Sequence, residues 1–480
     1  MADQPVDMHF SELDDRPHDE CGVFGISGVE KAAEMSFLGL YALQHRGQES
    51  AGIYAIDGDE PHVRKRTGLI ADVFDAESLK SLPGKTSIGH VRYSTAGGSG
   101  GHNAQPIVVR YAKGDLAIAH NGNLTNAQEL RNRLVDEGAL FQTSSDSEVI
   151  VHLIARSRHE SIDAQVDDAL THLEGAFSLV LTVGETLFAV VDPWGYRPLV
   201  LGKIGKGHVV ASETCALDII GATFVRDIQP GEVLKIRGPK VENLRSLPPA
   251  PRRAPCIFEL VYFARPDSRL WGASVDGARR VFGRQLAREH PVEADAVISV
   301  PDSSNSAALG YAEESGVPFE LGLIRNHYVG RTFIRPSQAD RDFGARIKYN
   351  PVRELLEGRR VIVVDDSLVR GTTSSSLVKF IREAGAKEVH FRVASPPVKF
   401  PCYYGIDLPS REELIGSSHS VQEIADKLGV ESLGYLSLEG MKKAVEEYGP
   451  FCDACFSGNY TAPLVDIQRG LEPARAGAAV

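Results

Sequence analysis

No stretch of this 480-residue chain approaches the roughly 20 consecutive apolar residues that span a bilayer. An excess of basic charge is missing too: 52 Lys and Arg stand against 64 Asp and Glu, a net charge of −12. Nucleic-acid backbones are bound by basic surfaces, so the balance argues against that partner, while a small anionic substrate needs only local cations. The first twenty residues carry aspartate and glutamate where a signal peptide has basic and apolar regions. Without an export signal, disulfides are not the default for the six cysteines, and the chain is expected in the cytoplasm. There is no low-complexity tract and no internal repeat. The length and ordinary apolar content fit two or three domains with sizeable cores.

What is present is concentrated in residues 361–373, Val-Ile-Val-Val-Asp-Asp-Ser-Leu-Val-Arg-Gly-Thr-Thr. Val361 to Val364 read as a buried parallel strand, and Lys379 to Ala384 belong to the helix that follows. The loop between them therefore lies at the carboxyl end of a strand, where open α/β sheets bind ligands. Asp365 and Asp366 suit ribose hydroxyls or a hydrated Mg²⁺, and Ser367, Arg370, Gly371, Thr372 and Thr373 offer donors to a phosphate at a helix start. The bland alternative is a solvated acidic turn. Residues 300–306, Val-Pro-Asp-Ser-Ser-Asn-Ser, repeat the order of strand, polar loop and helix, although Asp, Ser and Asn are also ordinary turn and cap residues. Between the loops, residues 329–350 carry Arg331, Arg335, Arg341, Arg346 and Lys348, either a lid over a phosphorylated substrate or a solvated basic loop.

At the other end, Cys21 opens Cys-Gly-Val-Phe-Gly behind the acidic leader. It is either a small apolar residue at the start of a strand or, with residues 1–20 removed, a terminal thiol whose own α-amine serves as base. Arg92 closes a strand, Asn121 and Gly122 follow a strand over 116–120, and Asp146 is expected to cap the helix running through Val149 and Leu153. Arg92 and Asp146 would otherwise form a structural ion pair. A proline-rich stretch, residues 246–255, marks a boundary. Before it, strands near 53–56, 86–93, 116–120, 176–183, 187–191 and 208–212 mix with helices near 31–43, 126–137, 146–157 and 165–173, an α+β pattern. After it, strands at 295–300, 320–324, 360–364 and 389–393 alternate with helices, the pattern of a parallel sheet. Cys452 and Cys455 form a CxxC pair; by spacing alone this is a redox dithiol, half a zinc site or part of an iron–sulfur site. Cys215 has no partner by pattern and reads as a core residue.

Residues 361–373 resemble the fingerprint of the type I phosphoribosyltransferases. Cys21, Arg92, Asn121, Gly122 and Asp146, with Gln44-His45-Arg46-Gly47-Gln48, resemble the N-terminal-nucleophile (Ntn) glutaminases. Both ends together resemble the glutamine phosphoribosylpyrophosphate amidotransferase family, from Cys21 to about Tyr460. The resemblance implies an α+β Ntn αββα sandwich followed by an α/β type I phosphoribosyltransferase domain with a parallel sheet. The implied division is a propeptide, 1–20; a glutaminase domain, 21–250; a transferase domain with a cluster-binding C-terminal segment, 251–460; and a loose tail, 461–480.

By position, the resemblance makes Cys21 the nucleophile and Asn121 and Gly122 the oxyanion hole. Arg92, Thr95 and Asp146 would bind glutamine. Asp365, Asp366, Ser367, Arg370, Gly371, Thr372, Thr373 and Lys348 would bind phosphoribosyl pyrophosphate, and Ser303 with Asp365 and Asp366 would hold Mg²⁺. One branch of the family joins a cleaved leader to a [4Fe-4S] cluster, which implies Cys256, Cys402, Cys452 and Cys455 as its ligands. Tyr262 and Phe263, after the linker, would line an ammonia passage or simply pack between domains. Feedback inhibition by purine nucleotides and a homotetramer are implied likewise. A glucosamine-phosphate synthase would lack the Asp365-Asp366-Ser367 loop, and a non-catalytic regulator would not need the set around Cys21.

Overall fold

In the first half, strands with one face toward a second sheet and the other toward helices bury both faces, so their apolar residues run almost continuously. The structure, a computed structural model, describes residues 21–93, 101–326 and 348–471. A seven-stranded sheet runs in the order Thr223–Asp227, Val200–Ile204, Gly207–Ala211, Gly22–Ser27, Thr86–Arg92, Ser50–Asp57, Glu60–Thr67. A six-stranded sheet runs Lys240–Ser246, Glu232–Arg237, Thr186–Val191, Gly175–Val183, Gly114–Leu124, Ile107–Tyr111. All neighbours in both are antiparallel. Val23, Tyr54, Ile88 and Val210 from the first sheet meet Ala119, Val180, Ala189 and Leu234 from the second in one core. The helix Ala32–Ala42 covers the outer face of the first sheet; Ala127–Asp136, Ser147–Arg156 and Ile162–Leu170 cover the second. The result is the expected αββα sandwich. One polar contact crosses the apolar layer: buried His90 donates from Nε2 to the His120 carbonyl at 3.0 Å.

The second half is a four-stranded parallel sheet in the order Ala296–Ser299, Arg360–Asp365, Glu388–Val393, Ser432–Tyr435. Strand alternation divides the apolar run: Ile362 and Val364 pack under Val275–Glu289 and Asn305–Ser315, while Val361 and Val363 pack under Thr372–Glu383 and Val421–Leu428. The sequence places a parallel strand at 320–324. The structure instead has Leu323–Arg325 paired antiparallel with Tyr349–Pro351, and only Phe319 makes a parallel bridge, to Val297. Residues 461–471, expected as a loose tail, return to the first half: Asp466 accepts from the Gln128 and Glu129 N–H groups at 2.9 and 3.0 Å and so caps Ala127–Asp136.

The two halves meet across a buried ionic cluster. Arg46, in the short 3₁₀ turn Gln44–Arg46, donates from Nη1 to Glu213 at 2.6 Å and from Nη2 to Glu259 at 2.6 Å. Glu259 begins the π-turn Glu259–Phe263 just past the linker, and Arg197 lies 3.8 Å from it. Glu213 also accepts from the Arg265 N–H at 2.9 Å and the Ser268 hydroxyl at 2.7 Å. Burial opposes ionisation of Glu213, but His45 and Arg46 hold its carboxyl well below the usual range.

Removing one member of such a cluster strands a buried charge, which costs about 3–5 kcal/mol. Glu259→Ala is expected to lose that much in urea denaturation; a loss below about 1 kcal/mol would contradict the cluster. His90 gives a pH signature. Burial pushes its pKa down to about 3, against about 6.5 when unfolded. Unfolding therefore takes up a proton between these values, and stability falls as pH drops through that window. The stability gap between the wild type and His90→Gln should narrow by about 1.6 kcal/mol from pH 6.5 to pH 5, and a constant gap would contradict a neutral His90.

Candidate functional site

Cys21 is buried immediately before the central strand Gly22–Ser27, beside Thr86–Arg92. Its thiol lies 3.5 Å from the Tyr93 carbonyl, and its own carbonyl accepts from Arg46 Nε at 3.2 Å. Burial pushes the thiol up to about 11, against the lowering pull of Arg92; Glu49 and Asp146 also act on it, in the raising direction. The thiol thus needs a base at neutral pH, and with Glu20 still attached the Cys21 nitrogen is an amide and cannot be one.

The other residues predicted around Cys21 converge from both sheets. Arg92 ends its strand, buried, with Glu49 at 3.7 Å. Asn121 and Gly122 do not follow a strand ending at 120; the strand continues to Leu124, pairing Asn121 with Ser178 and Gly122 with Phe177. Asn121 is 1% exposed, and its amide nitrogen has no hydrogen-bond partner among the described residues. An unpaired buried donor costs about 1–3 kcal/mol, which a bound acceptor would relieve. Gly122 has φ +142°, and a Cβ there would lie 2.1 Å from the Ala176 carbonyl oxygen, so only glycine fits.

Asp146 stands at the start of Ser147–Arg156 but does not cap it, because its own backbone is helical. Its carboxylate turns back to the strand end and accepts from the Leu124 N–H at 3.0 Å, with His120 Nδ1 at 3.6 Å. Burial resists ionisation, yet His120 and the Leu124 N–H hold the pKa below the usual range, leaving a buried anion suited to an ammonium group. Thr95 lies outside the described residues.

In the second half Asp365 ends its strand, and Asp365, Asp366 and Ser367 are buried. Hydroxyls converge on them. Ser303 donates to Asp366 at 2.5 Å, Ser304 to Asp365 at 3.0 Å and to Asp366 at 3.2 Å, and Ser367 to Asp366 at 2.7 Å. Thus the 300–306 loop faces the main loop, as its repeated pattern implies. Ser304, not singled out in the sequence, touches both carboxylates. Gly371 is left-handed and starts the helix Thr372–Glu383, whose first turn has no side-chain cap; Thr372 and Thr373 lie in that turn, with Arg370 just before it and 3.4 Å from Glu413. Lys348 precedes the strand Tyr349–Pro351, its carbonyl accepting from the Asn326 N–H at 2.9 Å. Beside it, Arg325 reaches Asp302 of the facing loop at 3.1 Å. Arg331, Arg335, Arg341 and Arg346 lie outside the described residues.

Of the residues not legible in sequence, Arg279 is the most informative. Fully buried, it donates to the carbonyls of Leu260, Tyr262 and Ala264 at 2.9, 2.7 and 2.7 Å, and Asp366 and Glu213 both act on its charge. Tyr262 and Phe263 pack edge to face within this turn. Cys256, Cys402, Cys452 and Cys455 come together from the linker, the 400–406 loop and the C-terminal segment. Cys256 and Cys452 form a β-bridge, and burial raises the Cys455 thiol, as does the charge of each of the other three. All four are free thiols. Cys215 packs in the core of the first half. Among the described residues, no three His, Cys, Asp or Glu side chains close on a single metal position, and no helix is long and apolar enough to cross a membrane.

Comparison with known proteins agrees with this geometry. A family model described as a glutamine amidotransferase domain matches residues 90–218, the stretch that carries Arg92, Asn121, Gly122 and Asp146. The amidophosphoribosyltransferase of Bacillus subtilis (strain 168) is 50% identical over 453 residues, 93% of this chain and 95% of that protein. Amidophosphoribosyltransferase 1, chloroplastic, of Arabidopsis thaliana is 51% identical over 467 residues, 97% of this chain and 82% of that one. A solved structure of the B. subtilis glutamine phosphoribosylpyrophosphate amidotransferase complexed with ADP and GMP superposes with a TM-score of 0.87 at 49% identity, covering 92% of this chain and 98% of that one. With half of its residues shared along almost its whole length, and a thiol pocket and an Asp-Asp-Ser loop in one polypeptide, the chain belongs to the amidophosphoribosyltransferase family.

Proposed function

We propose that this chain makes 5-phosphoribosylamine, glutamate and pyrophosphate from glutamine, phosphoribosyl pyrophosphate and water, the first committed step of de novo purine synthesis. The observation that carries this is Arg46: one guanidinium holds the Cys21 carbonyl and, through Glu259, the half that bears Asp365 and Asp366. A glutaminase standing alone would have no use for that bond.

Removal of residues 1–20 frees the Cys21 α-amine, which with its near-neutral pKa takes the thiol proton. The thiolate attacks the glutamine amide carbon, and Asn121 Nδ2 with the Gly122 N–H donate to the developing oxyanion. One such donor lowers the barrier by about 3 kcal/mol. Arg92 binds the substrate α-carboxylate, and Asp146, with Thr95 nearby, the α-ammonium. Collapse expels ammonia with the proton from the α-amine, and water hydrolyses the thioester to glutamate. Ammonia then attacks C1 of the ribose as the C1–O bond to pyrophosphate breaks, and the new amine sheds a proton.

Asp365 and Asp366 accept from the ribose hydroxyls, while Ser367, Arg370, Gly371, Thr372 and Thr373 surround the 5′-phosphate. Lys348 binds the pyrophosphate end of the donor, and the cations of 331–346 would supply charge against it as it leaves. The hydroxyl and carboxylate oxygens of Ser303, Asp365 and Asp366 are the hard donors that suit Mg²⁺. Those residues would hold Mg²⁺, which would supply positive charge against the leaving pyrophosphate. In the passage between sites, the Glu259–Phe263 turn keeps ammonia from water, where it would become ammonium.

The buried Cys256, Cys452 and Cys455 and the half-buried Cys402 act on one another and suit a [4Fe-4S] cluster, which would supply a covalent tie between the linker, the 400–406 loop and the C-terminal segment. We adopt a leader of residues 1–20, a glutaminase half of 21–250 and a transferase half from 251 on. The enzyme is a cytoplasmic homotetramer inhibited by purine nucleotides.

Cys21→Ser is expected to lower glutamine-dependent synthesis at least 10³-fold while leaving ammonia-dependent synthesis within about twofold, as removal of a nucleophile requires. The intact mass of anaerobically purified protein should correspond to a chain starting at Cys21, with four iron and four sulfide per chain by chemical analysis. An active enzyme with residues 1–20 attached would remove the α-amine from the reaction, and stoichiometric zinc would overturn the cluster.

A further inference from the structure

The end of the strand Gly114–Leu124 is held from outside its own half. Asn123, next to Gly122, donates from Nδ2 to the Tyr403 carbonyl at 3.0 Å, a partner 280 residues away. Gly405 has φ +111°, and a Cβ there would sit 3.0 Å from both Cα and the carbonyl carbon of Gly122. The turn 403–405 and the strand end are therefore in backbone contact with no side chain between them. The Tyr404 carbonyl between those two contacts accepts from Arg197 Nε and Nη2 at 3.1 and 2.6 Å.

The same turn is anchored on its far side. The Tyr404 hydroxyl donates to the Ala462 carbonyl at 2.9 Å, the Ala462 N–H points at the hydroxyls of Tyr196 and Tyr404 at 3.0 Å each, and the two rings stack at 4.3 Å. Four residues on, the Asp466 N–H donates to the Thr125 carbonyl at 2.9 Å, while its carboxylate caps the helix that follows the strand. Residues 121–129 are thus gripped at Gly122, Asn123, Thr125, Gln128 and Glu129 by groups that all lie beyond residue 400.

We infer that the turn 403–405, braced by residues 460–466, is a positioning wall for the oxyanion hole, through which the second half sets where Asn121 and Gly122 aim their donors. Gly405 and Asn123 are positioning residues: neither touches substrate, and each acts through Gly122. The inference rests on the reading that Asn121 and Gly122 form that hole. A methyl group at 405 meets Arg197 Nη2 at 3.2 Å and, closer, the backbone of Gly122 at 3.0 Å, which cannot swing aside as a side chain can, so part of the shift falls on the donor itself. Oxyanion donors act on the transition state and hardly on bound glutamine, so the loss must appear in kcat.

The test measures steady-state glutaminase and ammonia-dependent synthesis for the full-length enzyme carrying Gly405→Ala, Asn123→Ala or Asn121→Ala. For Gly405→Ala we expect glutaminase kcat to fall at least tenfold, with KM for glutamine and ammonia-dependent synthesis within twofold of wild type. Asn123→Ala, which keeps the turn intact and so covers a Gly405→Ala that fails to fold, should fall at least threefold with the same pattern. If Asn121→Ala loses kcat but neither positioning variant does, the wall is overturned and the oxyanion reading stands. If Asn121→Ala keeps its kcat, the oxyanion reading fails and takes the wall with it. A rise confined to KM, or a parallel loss of the ammonia reaction, would show a general structural role and also overturn the proposal.

Discussion

The guanidinium of Arg46 is the constraint on which both sites depend. It is buried with two carboxylates, Glu213 and Glu259, and a second buried arginine, Arg197, stands near Glu259, so two buried cations balance two buried anions. Such a cluster contributes little net stability, because desolvation of four charges offsets most of their attraction. Its value is geometric. Each partner can be satisfied only if the others stay in place, and a further bond, from Arg46 Nε to the Cys21 carbonyl, fixes the proposed nucleophile. Cys21 is thus located by a residue 25 positions away that is itself located by the other half of the chain.

Parts of this were legible in the sequence, for a reason that separates them from the rest. Asp365 to Thr373 could be read because strand, loop and helix start are contiguous, so a linear pattern carries the site. The α+β and parallel-sheet halves could be read because periodicity and the proline-rich break are local features too, while the αββα layering came from the family resemblance. The ionic cluster could not: Arg46 meets Glu213 and Glu259 at separations of 167 and 213 residues, and a lone Gln-His-Arg run does not say what the arginine touches. Asp146 misled because an acidic residue before an apolar helix is the usual sign of a cap, yet its helical backbone swings the carboxylate onto Leu124. The strand Ser432–Tyr435 has only four residues, too few for an alternating pattern to show, and Leu323–Arg325 is apolar enough to pass for a sheet strand while pairing elsewhere. Gly405 carries no signal of its role, since nothing in sequence distinguishes a turn glycine from one in contact with a site.

The Glu259–Phe263 turn is fixed at both ends by buried arginines, and this bears on how two chemistries share one chain. At its start Glu259 binds Arg46, next to Cys21; along its length three carbonyls bind Arg279, whose charge feels Asp366. A segment with three carbonyls on one guanidinium has little freedom to bend, so the separation of Cys21 and the Asp365-Asp366 loop is set by a rigid spacer and not by the proline-rich linker that precedes it. Under the proposed transfer of ammonia between the sites, the walls it meets along this turn keep a constant shape. That matters because a neutral amine is protonated within a few encounters with bulk water, and a spacer that opened and closed on its own would lose it. The resulting requirement is strict: any change that loosens Arg279 must degrade transfer of glutamine nitrogen before it degrades either half-reaction alone.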